Sequence, residues 1–192
     1  MNEKLKLLFA IVMVAMVTTS WGGDNDKDKK KTYCRFNVHY YESVGRGRFR
    51  RKGYFASYAN YVDAKGGSMI PAGSEVVIGK RRGGFTLTKV GDTKVIAFEY
   101  QKQRMGMSLE EYFKIMFSDK PVSYDKMSEK DKKGIKNGIV AVGMTKEGVK
   151  IALGYPAAHK TPSLDDDVWT YWRDRWRMMT VTFKDGKVSE IR

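Results

Sequence analysis

Gly143 to Pro156, GMTKEGVKIALGYP, is the stretch that decides the fold, because it spells a helix with both ends written in. Thr145 is placed to accept a bond from the first free backbone N–H groups. Glu147 falls in the first turn, where the helix dipole favours a negative charge. Val149, Ala152 and Leu153 stand at i, i+3 and i+4 and make one apolar stripe. Gly154 can take a left-handed stop, and Pro156 forbids continuation.

Outward from this helix, the rest of residues 128–192 takes shape. Ser128 with Asp131 predicts a preceding helix, interrupted by Gly134 and Gly138. A polar loop from His159 to Asp167 carries Pro162 and three consecutive aspartates. Val168, Trp169 and Tyr171 open a strand, Arg173-Asp174 reverses the chain, and Met179, Val181 and Phe183 alternate in the return strand. Lys184-Asp-Gly-Lys187 is a tight hairpin whose Asp-Gly pair suits positive φ angles, and Val188 and Ile191 finish the sheet. Helix, helix and three antiparallel strands predict a compact two-layer unit.

Upstream, residues 34–104 are rich in strand and turn signals. Phe36, Val38 and Tyr40 alternate with Arg35, Asn37 and His39, as in a half-buried strand. Tyr54 to Val62 is aromatic and strand-like, and Gly66-Gly67 and Pro71-Ala-Gly73 mark turns. Val76 and Ile78, Phe85 and Leu87, and Ile96, Phe98 and Tyr100 give three more alternating runs. Strands at this spacing predict a small barrel or a curled antiparallel sheet. Residues 105–127 form a helical connector: Ser108 and Glu111 make a capping box, Leu109, Tyr112, Phe113 and Met116 a stripe, and Asp119-Lys-Pro121 a stop. The expected fold class is therefore α+β, a β-rich first half followed by the helix-helix-sheet unit.

Compartment and chemistry follow from composition. Lys4 and Lys6, the unbroken apolar run Leu7 to Val17 and the small residues up to Gly23 have the three-part form of a secretory signal, residues 1–23. Its apolar core is shorter than the ~20 residues a span needs. The expectation is an exported, periplasmic protein, or a membrane-associated one if the signal stays uncleaved. Asp24 to Tyr33 begins as a charged spacer without an apolar residue until its end. A net charge of +14 over 192 residues favours anionic partners. Cys34 is the only cysteine, so no internal disulfide framework exists. His39 and His159 are too few and too separated to suggest a metal site, and nothing implies a cofactor. No Ser/His/Asp order, metal-ligand cluster or glycine-rich phosphate loop beside a strand is present, which points away from an enzyme. Asp165–Asp167 could hold a cation, although a solvated loop explains them as well.

Two stretches are candidate binding surfaces. Between Gly45 and Gly53, Arg46, Arg48, Arg50 and Arg51 surround Phe49, and this combination can grip phosphate groups. Export argues against nucleic acid and leaves anionic lipid, lipopolysaccharide or an acidic envelope protein. The plain alternative is a solvated basic hairpin. The second stretch holds Trp169, Trp172 and Trp176 with Arg173, Arg175 and Arg177. Trp169 and Tyr171 fit a core, whereas Trp172 and Trp176 have the opposite parity, so at least one of them is a candidate for an exposed contact. The alternative is that the β-rich half covers and buries them.

Gly143-Met-Thr145, Val149, Leu153-Gly154, Pro156, Trp169-x-Tyr171 and Phe183-x-x-Gly186-x-Val188 together resemble the SmpA/OmlA, or BamE-like, domain family of outer-membrane assembly lipoproteins. The resemblance covers the last third of the chain and implies a binding module rather than a catalyst. The chain departs from the family in lacking a lipobox cysteine and in carrying a β-rich segment in front. Ile70-Pro-Ala-Gly73 ahead of a valine-rich strand resembles a phrase of small bacterial SH3-like domains. The helix-helix-sheet plan is also similar to the repeats of β-lactamase inhibitor protein, which implies a secreted enzyme inhibitor as the alternative to an envelope interaction protein.

Overall fold

The computed structural model describes residues 31–44, 52–63 and 67–192. The signal-like run, the charged spacer up to residue 30 and the candidate residues Arg46, Arg48, Phe49, Arg50 and Arg51 lie outside the described residues. The structure is mixed α+β, with more strand than helix.

The first core is built from β1 (Tyr33–Cys34), β2 (Val38–Val44), β3 (Lys52–Ser57), β4 (Gly67–Ile70), β5 (Val76–Arg81), β6 (Gly84–Lys89) and β7 (Ile96–Glu99), then α1 (Lys102–Met105), α2 (Leu109–Met116) and β8 (Phe117–Ser118). Six strands form one sheet in the order β4-β2-β3-β7-β6-β5, antiparallel except for the β3–β7 pair. Its two edges, β4 and β5, follow each other directly in the chain. A flat six-stranded sheet would hold them ~24 Å apart, but the steps from Ile70 to Val76 reach only ~21 Å even when extended. The sheet therefore has to curl. Val38, Tyr40, Ala56, Phe85, Leu87, Ile96 and Phe98 fill one face against Tyr112 and Met116 of α2. Phe85 stacks on Phe98 at 4.5 Å between centroids and takes the edge of Phe113 at 4.8 Å.

Three local expectations change. The helix capped by Ser108 stops at Met116, ahead of Asp119, because Phe117–Ser118 turns extended and pairs with Tyr33–Cys34. The strand expected over Tyr54 to Val62 ends at Ser57, where Asn60 takes a φ of 47° and its side chain leaves the ladder for other partners. Gly67 opens β4 rather than a turn, because it pairs with Tyr41 across the sheet.

The second core holds α3 (Glu129–Asn137) and α4 (Lys146–Leu153) against β9 (Val168–Trp172), β10 (Met178–Lys184) and β11 (Lys187–Ile191), an antiparallel sheet in the order β11-β10-β9. Val149, Ala152 and Leu153 are fully buried there with Trp169, Tyr171, Val181 and Phe183. Gly134 does not interrupt α3: it lies inside the helix, and its missing side chain makes room for Met144. Gly154 ends α4 with φ 78° but ψ −173°, an extended rather than helical left-handed stop. Asp185 and Gly186 both have positive φ, as the tight hairpin between β10 and β11 requires. Among the described residues no helix is long and apolar enough to cross a membrane.

The two cores meet through a buried polar seam. A helix leaves its last carbonyls without internal partners, and at α4 the first core supplies them. Asn37 N donates to Ile151 O at 2.8 Å, and Asn37 Nδ2 donates to Ala152 O at 3.1 Å and to Ile135 O at 2.7 Å. His39 Nε2 donates to Ala152 O at 3.0 Å, and Asn60 Nδ2 to Leu153 O at 2.6 Å. Tyr171 donates to Gly154 O at 3.2 Å from the other side. Asn37 and His39 are thus buried, and the lead-in to β2 is covered on both faces rather than half-exposed.

Candidate functional site

The face of β2 that carries Asn37 and His39 continues through Tyr41 and Ser43, and there the cover ends. Tyr41 pairs with Phe55 of β3, and Phe55 with Ala97 of β7, so one register line runs across three interior strands. Further along the same face, Ser57 pairs with Glu99. The result is a groove of about 470 Å³. Tyr41, Phe55 and Ala97 line it with Ser43, Ser57 and Glu99, while Arg81 and Arg82 stand at the β5–β6 turn. Arg175 reaches the groove from the β9–β10 turn of the second core. Both cores therefore contribute walls.

The floor is aromatic. The Tyr41 and Phe55 rings lie 6.3 Å apart, and Tyr61 lies 6.1 Å from Tyr41. Burial pushes the Tyr61 phenol up, with Tyr58 and Tyr41 adding to the rise, Arg175 opposing it and Glu99 reinforcing it. Arg81, Arg82 and Arg175 are exposed and have no ion-pair partner among the described residues. Glu99 accepts from Gln101 Nε2 at 2.6 Å. Three guanidinium groups against one carboxylate leave the groove positive.

The turn that supplies Arg175 is an ordered structure. Arg173 N donates to Arg177 O at 2.8 Å. Asp174 Oδ1 accepts from Trp176 N at 2.8 Å and Arg177 N at 2.9 Å, while Oδ2 accepts from Arg177 Nε at 2.7 Å. These bonds hold the Asp174 carboxyl below its usual range, the Trp176 N–H first. Trp176 stands at the tip, 84% exposed.

The remaining candidate residues separate. Trp172 is half-buried at the end of β9, and its indole Nε1 is buried without a hydrogen-bond partner among the described residues. Val62 N donates to Trp172 O and Asp63 N to Arg173 O, so the segment that follows β3 covers this end of the β9 edge. Arg173 pairs with Asp63 at 3.6 Å. Trp176 sits in the turn, not in a strand, because the strands stop at Trp172 and Met178. Trp172 and Trp176 therefore stand in different settings, one half-buried at a strand end and the other exposed in the turn. The sequence reading missed Tyr41, Phe55, Arg81, Arg82 and Glu99. The available signal was a tyrosine and a phenylalanine on the polar parity of two paired strands, opposite the core residues.

The acidic loop is occupied by the chain's own cation. Lys146 Nζ donates to Asp165 O at 3.0 Å and Asp166 O at 2.8 Å and lies 3.3 Å from Asp167 Oδ1. It also stands over the Trp169 and Phe183 rings, 5.7 and 5.4 Å from their centroids. Among the described residues no group of three or more His, Cys, Asp or Glu side chains is arranged to hold a metal ion. Cys34 is fully buried, and burial pushes its thiol up to about 12. Comparison with protein-family models, with curated proteins and with solved structures gives no match to this chain.

Proposed function

We propose that this chain is an exported, non-enzymatic interaction protein of the cell envelope that docks on anionic membrane surface, where its envelope protein partners also lie. The observation that carries the reading is Trp176, 84% exposed on a turn locked by Asp174, beside Arg175, which has no ion-pair partner among the described residues. An ordered turn that holds an indole in water has given up burial worth ~2 kcal/mol. The amphipathic indole regains that energy at the headgroup level of a bilayer, the depth where tryptophan concentrates. Arg81, Arg82 and Arg175 add attraction to anionic lipid. The order of two helices and three antiparallel strands supports assigning residues 128–192 to a BamE-like unit. The curled sheet with its Pro71–Glu75 crossing supports an SH3-like first half.

Vesicle flotation of the purified protein tests the reading. Wild type is expected to float with phosphatidylglycerol-rich vesicles at low salt and to be released at high salt, while phosphatidylcholine vesicles leave it behind. Trp176→Ala should weaken binding about tenfold. No flotation with the anionic vesicles at low salt overturns the proposal.

A further inference from the structure

We propose that the groove at the seam of the two cores is a binding subsite for an acidic saccharide. The inference goes beyond the membrane reading: it shares Arg81, Arg82 and Arg175 with that reading but not Trp176, and adds Tyr41, Phe55, Ser43, Ser57 and Glu99. Each wall selects for a part of that ligand. Arg81, Arg82 and Arg175 demand a negative charge, and guanidinium groups are suited to carboxylate. Glu99 then disfavours a ligand that is nothing but charge, because its carboxylate repels an anion with no proton to offer, such as sulfate, and meets phosphate favourably only through a remaining P–OH beside that anion's own charge. A sugar hydroxyl has that proton, and Ser43 and Ser57 provide further hydroxyl partners on the same face.

The floor narrows the class further. Tyr41 and Phe55 present neighbouring rings across one register pair. Such rings take the C–H face of a pyranose, which is apolar above and below a rim of hydroxyls. An extended peptide fits less well, since peptides add to sheets at an edge, through free backbone groups. Here the floor belongs to β2, β3 and β7, all interior strands whose ladders are already paired. The groove volume of about 470 Å³ lies within the ~300–1,000 Å³ typical of small-molecule sites. Because Arg175 comes from the second core and the other walls from the first, an occupant also ties the two cores together.

Calorimetric titration of the purified protein with digalacturonate, without lipid, tests the proposal. Neutral cellobiose and inorganic phosphate are the comparison probes. Digalacturonate is expected to bind at least about tenfold more tightly than either. Arg175→Ala and Tyr41→Ala should each weaken it by about tenfold, with folding of both variants verified by their circular dichroism. Glu99→Gln separates the two electrostatic readings. For a plain anion site the substitution strengthens binding, since a repelling carboxylate is gone; for a saccharide it weakens binding, since a strong hydroxyl acceptor is gone. Absence of binding at millimolar digalacturonate overturns the proposal. So does phosphate binding equally well, or affinity that rises in Glu99→Gln. Since no vesicle is present in any arm, failure here leaves the membrane reading standing, and failure of flotation leaves this one standing.

Discussion

Asp131 Oδ1 accepts the backbone N–H of Thr145 at 2.8 Å and its hydroxyl at 3.2 Å, so one buried carboxylate ties the start of α3 to the start of α4. Its other oxygen takes the Ser128 hydroxyl at 2.7 Å, and Ser128 in turn caps α3 through Asp131 N at 3.2 Å. Thr145 passes the order on by accepting from Gly148 N at 3.0 Å. Gly148 lacks a Cβ because one would run into Asp131. Asp131→Ala should therefore cost about 3 kcal/mol, because it strands several donors in a closed space. Thr145→Ala alone should cost about 1 kcal/mol. Urea unfolding of the two single variants and the double variant should give a coupling of about 1 kcal/mol. Strict additivity would mean that the two helix starts are independent.

His39 predicts the acid side of the stability profile. Burial holds its pKa below the ordinary 6.5, outweighing the Ala152 carbonyl and the Asp63 charge, which both pull it up. The folded chain thus refuses a proton that the unfolded chain takes up near pH 6.5. The contribution is complete above that pH and is lost as pH falls through it. Between about pH 7.5 and about pH 5.5 the loss attributable to His39 can reach about 1.4 kcal/mol. His39→Gln keeps a donor for Ala152 O and removes the titration, so its unfolding free energy should lie closer to wild type at the acidic end. Parallel pH profiles of the two proteins would place the titration elsewhere.

Cys34 offers a probe of how the first core opens. The thiol is fully buried in the first core, and the backbone of β1 holds the Pro71–Glu75 crossing, with Cys34 N donating to Ser74 O at 3.0 Å and Gly73 N to Cys34 O at 2.7 Å. With its pKa pushed up to about 12, little thiolate exists to react at neutral pH. An aromatic disulfide reagent should label the folded protein about 1,000-fold more slowly than the urea-unfolded chain, an opening cost of ~4 kcal/mol. Labelling within a few fold of the unfolded rate would mean that β1 detaches readily from β8.

These three relationships differ in how far they could be read from the chain. Thr145, Ser108, Ser128 and Asp185-Gly186 act on residues two to four positions away, and their signals survive without any knowledge of the fold. Asn37 and His39 mislead for a physical reason. Alternation treats a polar residue as a solvent-facing one, yet both are buried because the end of α4 needs donors. The β1–β8 pair consists of two residues on each side and joins positions 33 and 118, too short and too distant to leave a pattern. At the candidate groove the same division holds. Arg175 stands out by composition, but Tyr41, Phe55 and Arg81 come together only through strand register and sheet curl. In sequence only the polar parity of Tyr41 and Phe55 hints at the place, and nothing near Arg81 does.

Lys146 gives the last test, because a cation from the helix replaces the solvent or metal that three adjacent aspartates would otherwise attract. Its side chain is only 24% exposed, and the ammonium bridges two carbonyls, one carboxylate and two ring faces. The loop it holds ends in Asp167, whose carbonyl accepts from Phe183 N at 2.7 Å and so continues the β9–β10 ladder. Removing the charge in Lys146→Met should release the loop and expose that bond. Amide exchange at Phe183 should then quicken about tenfold, equivalent to ~1.4 kcal/mol, while Val181 deeper in the same strand keeps its protection. If Phe183 exchanges at the wild-type rate in Lys146→Met, the loop is held by its own turns, and the lysine only neutralises charge that water would have screened.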